Sequence, residues 1–289
     1  MRGREQGWIC RGRVIPLGKR PLVMGIVNVT PDSFSDGGRW FDPGRAIAHG
    51  LELVSQGADL LDIGGESTRP GADPVPPEEE ARRVLPVIRA LSGRTGVPLS
   101  IDSRRPEVAR MAVEAGASII NDVKPFAGDE AMARTVAECG AGVIVMHARG
   151  TPKEMSALTG YTDAPGEVER ALAEALGFAE KRGIPRASVV IDPGIGFAKT
   201  TAENLEVLAA TSRLSVLAPV LIGLSRKRMI GEICREPDAS LRDGGSVGAA
   251  LWCAKNGAAI LRVHAVRETR QALEMFSALE DAAVEVRDV

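Results

Sequence analysis

The chain has 289 residues, with 36 Lys or Arg residues against 38 Asp or Glu residues, so its formal net charge is only −2. This balance argues against a polyanion-binding surface spread over the whole protein. Gly (32) and Pro (18) are too frequent for a helical bundle, and aromatic residues are only 3% of the chain, so a core of Val, Ile, Leu and Ala is expected.

The predicted elements begin with a short β-hairpin over residues 8–20. Eight apolar runs rich in β-branched residues follow, and sequence with helical spacing lies between most of them. Successive runs begin about 34 residues apart, close to the ~30 residues of one strand–helix unit in a (β/α)8 barrel. The runs cover residues 23–29, 59–65, 98–103, 118–123, 142–148, 189–194, 219–225 and 258–265.

The continuous apolar character of these runs is typical of parallel strands buried on both faces. The helix after the third run is bounded by Pro106, which a first turn tolerates, and by Gly116, which is favoured just past a helix end. The sequence therefore predicts an α/β fold, a single (β/α)8 TIM barrel. We expect one domain over residues 1–289, with the barrel proper at about 21–282 and the hairpin closing its bottom. A doubly wound open sheet is the alternative, but no glycine-rich dinucleotide turn follows the first strand.

Polar side chains stand at the carboxyl ends of all eight runs, where a barrel of this type forms its active site. Asp62, Asp102 and Asp192 lie in apolar strands, and burying an unpaired carboxylate costs several kcal/mol. Helix capping would explain any one of these residues, but it explains all three poorly. Three carboxylates in one cavity, together with the amide of Asn121, favour a flat heterocycle rich in N–H groups.

Cationic side chains collect on the same rim. They are Arg69, Arg226, Lys227, Arg262 and His264. Because the loops after the seventh and eighth strands are the usual phosphate site of this fold, we infer a phosphate-like group beside the ring. Asn28 is available to help hold a divalent cation. An ordinary charged surface remains the alternative for residues 226–228, and a P-loop at 194–200 is rejected because its Gly and Lys are wrongly spaced.

Signals for export or membrane insertion are weak in this sequence. The basic start, residues 1–20, has no apolar region of secretory length, and no segment approaches the ~20 apolar residues of a membrane span. We therefore expect a cytoplasmic protein with no membrane or nucleic-acid partner. The four scattered cysteines form no Cys-x-x-Cys pair, so simple thiols are expected and structural zinc is not.

Two long motifs resemble the signatures of the dihydropteroate synthases of the folate pathway. They are MGIVNVTPDSFSDGG at residues 24–38 and GADLLDIGGESTRPGA at residues 57–72. Shorter matches follow in the family's order at residues 100–103, 121–123, 192–197, 223–227 and 262–264. The resemblance runs from residue 23 to residue 264, so the sequence is identified as similar to this family over most of its length.

The resemblance implies a homodimeric (β/α)8 barrel enzyme that uses Mg2+ and is a target of sulfonamides. Its members condense 6-hydroxymethyl-7,8-dihydropterin diphosphate with para-aminobenzoate, giving 7,8-dihydropteroate and diphosphate. In that chemistry diphosphate departs first and the arylamine then attacks the exposed carbon.

The same resemblance implies a set of site residues, position by position. The pterin pocket would comprise Asp62, Asp102, Asn121, Met146, Asp192, Gly223 and Lys227. The diphosphate would contact Asn28, Thr68, Arg69, Arg226, Arg262 and His264, with Mg2+ near Asn28. The aminobenzoate would enter past Thr68, Pro70, Phe197 and Ser225. Catalytic roles are implied for Asp102 and Lys227, and for Asp36 and Thr68 on two loops that would close over the intermediate.

Some positions depart from the family's pattern. Ala198 stands where Gly is usual, and Ala265 stands where an Asp is common; residues 124–125 and 148–149 also differ. These changes leave loop detail, turnover and sulfonamide sensitivity open. Two other interpretations remain: a methyltetrahydrofolate methyltransferase of the same superfamily, and a catalytically silent paralogue that binds pterin or serves as a partner subunit.

Overall fold

The computed structural model describes residues 6–30, 42–66, 74–124, 126–151 and 153–287. The strands are β1 (Gln6–Cys10), β2 (Arg13–Leu17), β3 (Leu22–Asn28), β4 (Leu60–Gly64), β5 (Leu99–Asp102), β6 (Ile119–Asp122), β7 (Gly142–Met146), β8 (Val189–Asp192), β9 (Val220–Ile222) and β10 (Ala258–Val263). The helices are α1 (Pro43–Ser55), α2 (Pro77–Ser92), α3 (Pro106–Glu114), α4 (Glu130–Cys139), α5 (Ala164–Lys181), α6 (Thr201–Ala209), α7 (Thr211–Leu214), α8 (Arg228–Cys234), α9 (Asp243–Lys255) and α10 (Val266–Arg287).

Strands β3 to β10 form a closed barrel in the order β10-β3-β4-β5-β6-β7-β8-β9. Each strand is parallel to its neighbours, and β10 closes the barrel by pairing with β3, where Ile260 stands opposite Leu22. The prediction of a (β/α)8 barrel is confirmed, and the alternative of an open doubly wound sheet is wrong. Among the described helices, none is long and apolar enough to cross a membrane.

The barrel strands are apolar because they contact a helix layer outside and packed side chains inside. Every residue of β4, β5, β6, β7 and β8 is buried. One apolar cluster contains strand residues such as Ile63 packed with helix residues such as Val84. A second cluster contains Met24, Leu60, Ile119, Ile144, Val190, Leu221 and Ile260, one from each of seven barrel strands.

The predicted hairpin forms from β1 and β2 and packs against the amino-terminal ends of the barrel strands. Trp8 is 1% exposed, belongs to the second apolar cluster, and donates its indole N–H to Ser188 O at 2.9 Å. A Cβ added to Gly142 would lie 2.3 Å from Cys10 Sγ, so only glycine fits at the start of β7. The hairpin thus closes the end of the barrel opposite the polar strand ends.

Local signals set the helix boundaries as the sequence indicates. Helix α3 begins at Pro106, and Gly116 after it has a φ of +124°, a conformation that L side chains rarely adopt. Helix α6 begins with a capping box in which Thr200 and Glu203 satisfy each other's backbone N–H groups. The starts of α3 and α6 mark where the loops after β5 and β8 end.

Candidate active site

The floor of the candidate site is a charged cluster carried by four strands. Arg262 donates from Nε to Asp62 Oδ2 at 2.6 Å and from Nη2 to Asp102 Oδ2 at 2.8 Å. Asn121 Nδ2 donates to the same Asp62 oxygen at 3.0 Å. Strands β4, β5, β6 and β10 bring these side chains together inside the barrel. The structure therefore places Arg262, which the sequence grouped with the diphosphate, among three residues of the pterin group.

Three acceptor oxygens in this cluster stay open. Asp62 Oδ1, Asp102 Oδ1 and Asn121 Oδ1 are buried and accept no hydrogen bond from the described part of the chain. Burial raises the pKa of Asp102 to about 7; Arg262 opposes the rise, whereas the carboxylate of Asp62 adds to it. Because a buried acceptor without a donor is costly, a ligand that presents several N–H groups would stabilise this floor.

Asp192, the last residue of β8, and Lys227, in the loop after β9, form a second part of the site. Asp192 Oδ1 accepts from the backbone N–H of Gly194 at 2.7 Å, and burial raises the pKa of this carboxyl. Lys227 Nζ donates to Ile195 O and lies 4.4 Å from the centroid of the Phe197 ring. Burial lowers the pKa of Lys227 to about 8, with Asp192 opposing the shift. An ammonium is thus held beside an aromatic ring and a buried carboxyl.

The rim residues after β9 and β10 are paired with protein groups. His264 Nδ1 lies 3.0 Å from Ser225 Oγ, and the His264 backbone N–H donates to the same hydroxyl at 3.2 Å. Arg226 donates from Nε and Nη2 to the two carboxylate oxygens of Asp243, each at 2.7 Å. A phosphate that contacts Arg226 would therefore compete with a bidentate ion pair.

The remaining predicted residues divide into those the structure describes and those it does not. Met146 is buried and pairs with Asp192 in register, and an added Cβ at Gly223 would lie 3.9 Å from Asp192 Oδ2. Asn28 is half-buried at the end of β3, opposite Gly64. The predicted residues that lie outside the described part of the chain are Asp36, Thr68, Arg69 and Pro70.

A cavity of about 230 Å³ opens beside this floor. Asp102 and Phe197 line it, and so do Lys124 and Ala148, two of the positions that depart from the family's pattern. Lys124 is held at the rim by an ion pair of 2.7 Å with Asp129. Ala198 has a φ of +49°, which explains why glycine is usual at that position.

Two groups of polar residues near the site were missed by the sequence analysis. Arg105 donates to Glu66, Glu80 and the carbonyl of Val75, three groups that lie on both sides of residues 67–73.

Lys199 is buried and donates to the carbonyls of Gly194 and Phe197, and its Nζ lies 3.0 Å from His147 Nδ1. The only sequence signal for Lys199 was its place in the glycine-rich segment 194–200. Burial lowers the pKa of Lys199 to about 7, with Asp192 opposing.

Comparison with known proteins shows the protein family to which this chain belongs. The model of the family described as pterin binding enzyme matches residues 24–264. The chain belongs to this family. The curated relatives and solved structures named below are dihydropteroate synthases.

The relatives are similar over nearly their whole length. The dihydropteroate synthase of Neisseria meningitidis serogroup C is 44% identical over 264 residues, covering 90% of this chain and 93% of the relative. The Escherichia coli K12 enzyme is 42% identical over 259 residues, covering 89% of this chain and 91% of the relative. A structure of the Xanthomonas albilineans synthase with 4-aminobenzoic acid is 48% identical with a TM-score of 0.90, covering 96% and 99% of the two chains. Another structure of that enzyme contains 7,8-dihydropteroate and has a TM-score of 0.85, 48% identity and coverage of 94% and 97%.

Proposed function

We propose that this protein is a dihydropteroate synthase, a transferase that joins 6-hydroxymethyl-7,8-dihydropterin diphosphate to para-aminobenzoate and releases diphosphate. The observation that carries the proposal is the buried floor on which Asp62, Asp102 and Asn121 each have an acceptor oxygen that receives no hydrogen bond from the described residues. One relative, the Xanthomonas albilineans synthase, is 48% identical to this chain and has been solved with 4-aminobenzoic acid and with 7,8-dihydropteroate, one substrate and the product of this reaction.

The floor suits a pterin because that ring carries several N–H donors and ring acceptors along one edge. In our proposal the open oxygens of Asp102 and Asn121 accept from the ring, and Lys227 donates to a ring acceptor. Asp192 Oδ2 lies 3.9 Å from a Cβ added at Gly223, and Asp192 interacts electrostatically with Lys227, so in our proposal this carboxyl also binds the ring. Met146 would form an apolar wall, and Asp62 would orient Asn121 from beneath.

The chemistry follows from the separation of charge in the site. When the carbon–oxygen bond breaks, its electron pair leaves with diphosphate and the pterin methylene becomes cationic. The carboxylate of Asp102 would offset that positive charge, and the rim residues Arg226 and His264 would stabilise the departing anion. The aminobenzoate nitrogen then forms the new bond with its lone pair and releases a proton. Phe197 and Ser225 would guide its entry.

The predicted loop residues complete the proposal. Asp36 and Thr68 would close over the cationic intermediate and exclude water, which would otherwise compete with the arylamine. Arg69 would contact diphosphate, and Pro70 would contact the aminobenzoate. These four assignments rest on the resemblance of the two long sequence motifs.

Mg2+ is part of the proposal, and the donor set at the barrel mouth fits it. No group of three His, Cys, Asp or Glu side chains suited to a metal occurs among the described residues. Mg2+ does not need such a cage, since it commonly uses one or two protein oxygens, waters and substrate phosphates. The amide oxygen of Asn28, at the end of β3, would supply the protein ligand. When bound, the ion would neutralise charge on the diphosphate.

The proposal also covers the organisation of the protein. We take residues 1–289 as one domain and propose a homodimer, supported by exposed apolar side chains beside one another on α6, α8 and α9: Leu205, Ile233 and Trp252. Sedimentation velocity would test the dimer: a monomer at micromolar concentration would contradict it.

The four cysteines are free thiols, which supports a cytoplasmic location.

Diphosphate release is the experiment that tests the function. The purified protein is incubated with the pterin diphosphate, para-aminobenzoate and Mg2+, and each organic substrate is omitted in turn. Release that depends on both substrates supports the synthase. Pterin binding without release would favour the silent paralogue, and binding of methyltetrahydrofolate with methyl transfer would favour the methyltransferase.

A further inference from the structure

Lys199 is a buried cation that does not belong to any predicted group of ligand-contacting residues. Its residue is 8% exposed, and its Nζ lies 2.9 Å from Gly194 O, 3.2 Å from Phe197 O and 3.0 Å from His147 Nδ1. An ammonium has three N–H donors, and these three acceptors use all of them. Lys199 is therefore fully satisfied by protein groups.

His147 must be neutral for this arrangement, because Nδ1 can accept only when the proton is on Nε2. Burial lowers the pKa of His147 to about 3, and the nearby cations Lys199 and Arg149 add to the shift. The backbone N–H of His147 also donates to Asp192 O at 2.9 Å. The end of β7 is thus a fixed anchor for the Lys199 ammonium.

The loop of residues 193–199 needs such an anchor, because its backbone is conformationally costly. Gly194, Gly196 and Ala198 all have positive φ values, of 66°, 80° and 49°. The left-handed conformation is unfavourable for Ala198, which carries a Cβ. The two carbonyls that Lys199 binds, those of Gly194 and Phe197, lie near the two ends of the loop, so one ammonium holds the loop closed.

This loop carries three contacts of the candidate site. The N–H of Gly194 donates to Asp192, the carbonyl of Ile195 accepts from Lys227, and the ring of Phe197 lies beside the Lys227 ammonium. A shift of the loop would therefore move the acceptor of Lys227 and the aromatic wall together. Lys199 is linked to all three contacts through the backbone it holds.

We propose that Lys199 is a positioning residue of this site, whose ammonium ties Gly194, Phe197 and His147 together and so sets the position of Lys227 and Phe197. It acts through the loop and does not contact substrate. The inference rests on the proposed function, since Lys227 and Phe197 are assigned there to the pterin and the aminobenzoate.

The test is a double-mutant cycle read by calorimetry with 6-hydroxymethyl-7,8-dihydropterin diphosphate in Mg2+. Lys199→Met keeps the apolar stem and removes all three donors, so the dissociation constant is expected to rise at least about tenfold. Lys227→Met is expected to weaken binding as well, and the two losses should be clearly less than multiplicative in the double variant. Unchanged affinity in Lys199→Met, or losses that multiply independently, would overturn the proposal.

Controls separate this proposal from folding and from the proposed function. Lys181→Met changes an exposed lysine at the end of α5 and should bind as the parent protein does. Should Lys199→Met not fold, as judged by circular dichroism, His147→Leu decides, because it removes one of the three acceptors: weaker pterin binding supports the proposal and unchanged binding overturns it. If the parent protein itself fails to bind the pterin, the proposed function fails instead.

Discussion

Arg262 Nε and Asp62 Oδ2 lie 2.6 Å apart on the barrel floor, although 200 residues separate them in the chain. The Asp62 side chain is fully buried and that of Arg262 is 20% exposed. Because Arg262 also binds Asp102, one guanidinium compensates two buried carboxylates. The floor is thus an acceptor-rich surface that this one cation stabilises.

Arg262→Met should destabilise the protein, because it leaves two buried carboxylates without their cation. We expect a loss of ~3–5 kcal/mol in the free energy of unfolding at pH 8. Arg262 holds the pKa of Asp102 below the value that burial alone would give, so its removal raises that pKa further. The variant's native state then retains a proton that the unfolded state releases, and its stability falls relative to the parent as pH rises.

Urea denaturation at pH 5 and pH 8 measures this effect. The loss should be larger at pH 8, and adding Asp62→Asn to Arg262→Met should recover part of it. An equal loss at both pH values, or a double variant as unstable as the sum of the single changes, contradicts the coupling.

Asp192→Asn should severely weaken pterin binding, because it replaces a buried acceptor with a group that both donates and accepts. We expect the dissociation constant to rise by about a hundredfold, in line with the cost of an unpaired buried donor. Isothermal titration calorimetry with the pterin diphosphate measures the change. Asp281→Asn, at an exposed position on α10, is the matched control. Pterin affinity that is the same in both variants removes Asp192 from the pocket.

Asp122 should make stability depend on pH in a direction opposite to that of a salt-bridged carboxylate. Burial raises its pKa from 3.8 to about 7, and its Oδ2 accepts no hydrogen bond from the described residues. The native state therefore keeps the proton over a range in which the unfolded state loses it, so this residue lowers stability as pH rises through that range.

The comparison with Asp122→Asn isolates this group. The free energy of unfolding of the parent minus that of the variant should fall by up to ~1.4 kcal/mol per pH unit between about pH 4 and pH 7. Chemical denaturation at several pH values gives the slope. A difference that does not change with pH, or one that increases, shows that the native carboxyl is already ionised in this range.

Trp8→Ala should destabilise the barrel without abolishing substrate binding. Trp8 is 1% exposed beneath the barrel, and truncation of a buried Trp costs ~3–5 kcal/mol. Val14→Ala, on the same hairpin at 65% exposure, is expected to cost less than ~0.5 kcal/mol. Guanidinium denaturation measures both. The explanation fails if the two variants are equally stable, or if folded Trp8→Ala no longer binds the pterin.

The strands and their order could be predicted because each is a continuous apolar run at regular spacing. Asp102 and Asp192 could be assigned to the barrel mouth because each ends such a run. The contact of Asp102 with Arg262 could not, since β5 and β10 are not neighbours in the barrel and the contact depends on side chains that meet in its interior. No local sequence pattern predicts that contact.

The side-chain partners of Arg226 and Lys199 could not be predicted from the sequence either. The sequence left Arg226 at a strand-to-helix turn with its guanidinium directed at a phosphate, and the structure pairs it with Asp243 at the start of α9. Lys199 was dismissed together with a misspaced P-loop, and its one distant acceptor, His147, comes close only because β7 lies beside β8. In both cases the partner comes from an element whose position the fold determines.

The most direct test of the central claim is to measure formation of 7,8-dihydropteroate by chromatography and mass spectrometry. The protein, the pterin diphosphate, para-aminobenzoate and Mg2+ should yield product and diphosphate in equal amounts. Asp102→Asn, which changes the floor carboxylate, should lower the rate at least about a hundredfold while the protein stays folded. A folded parent protein that binds the pterin but forms no dihydropteroate would contradict the account.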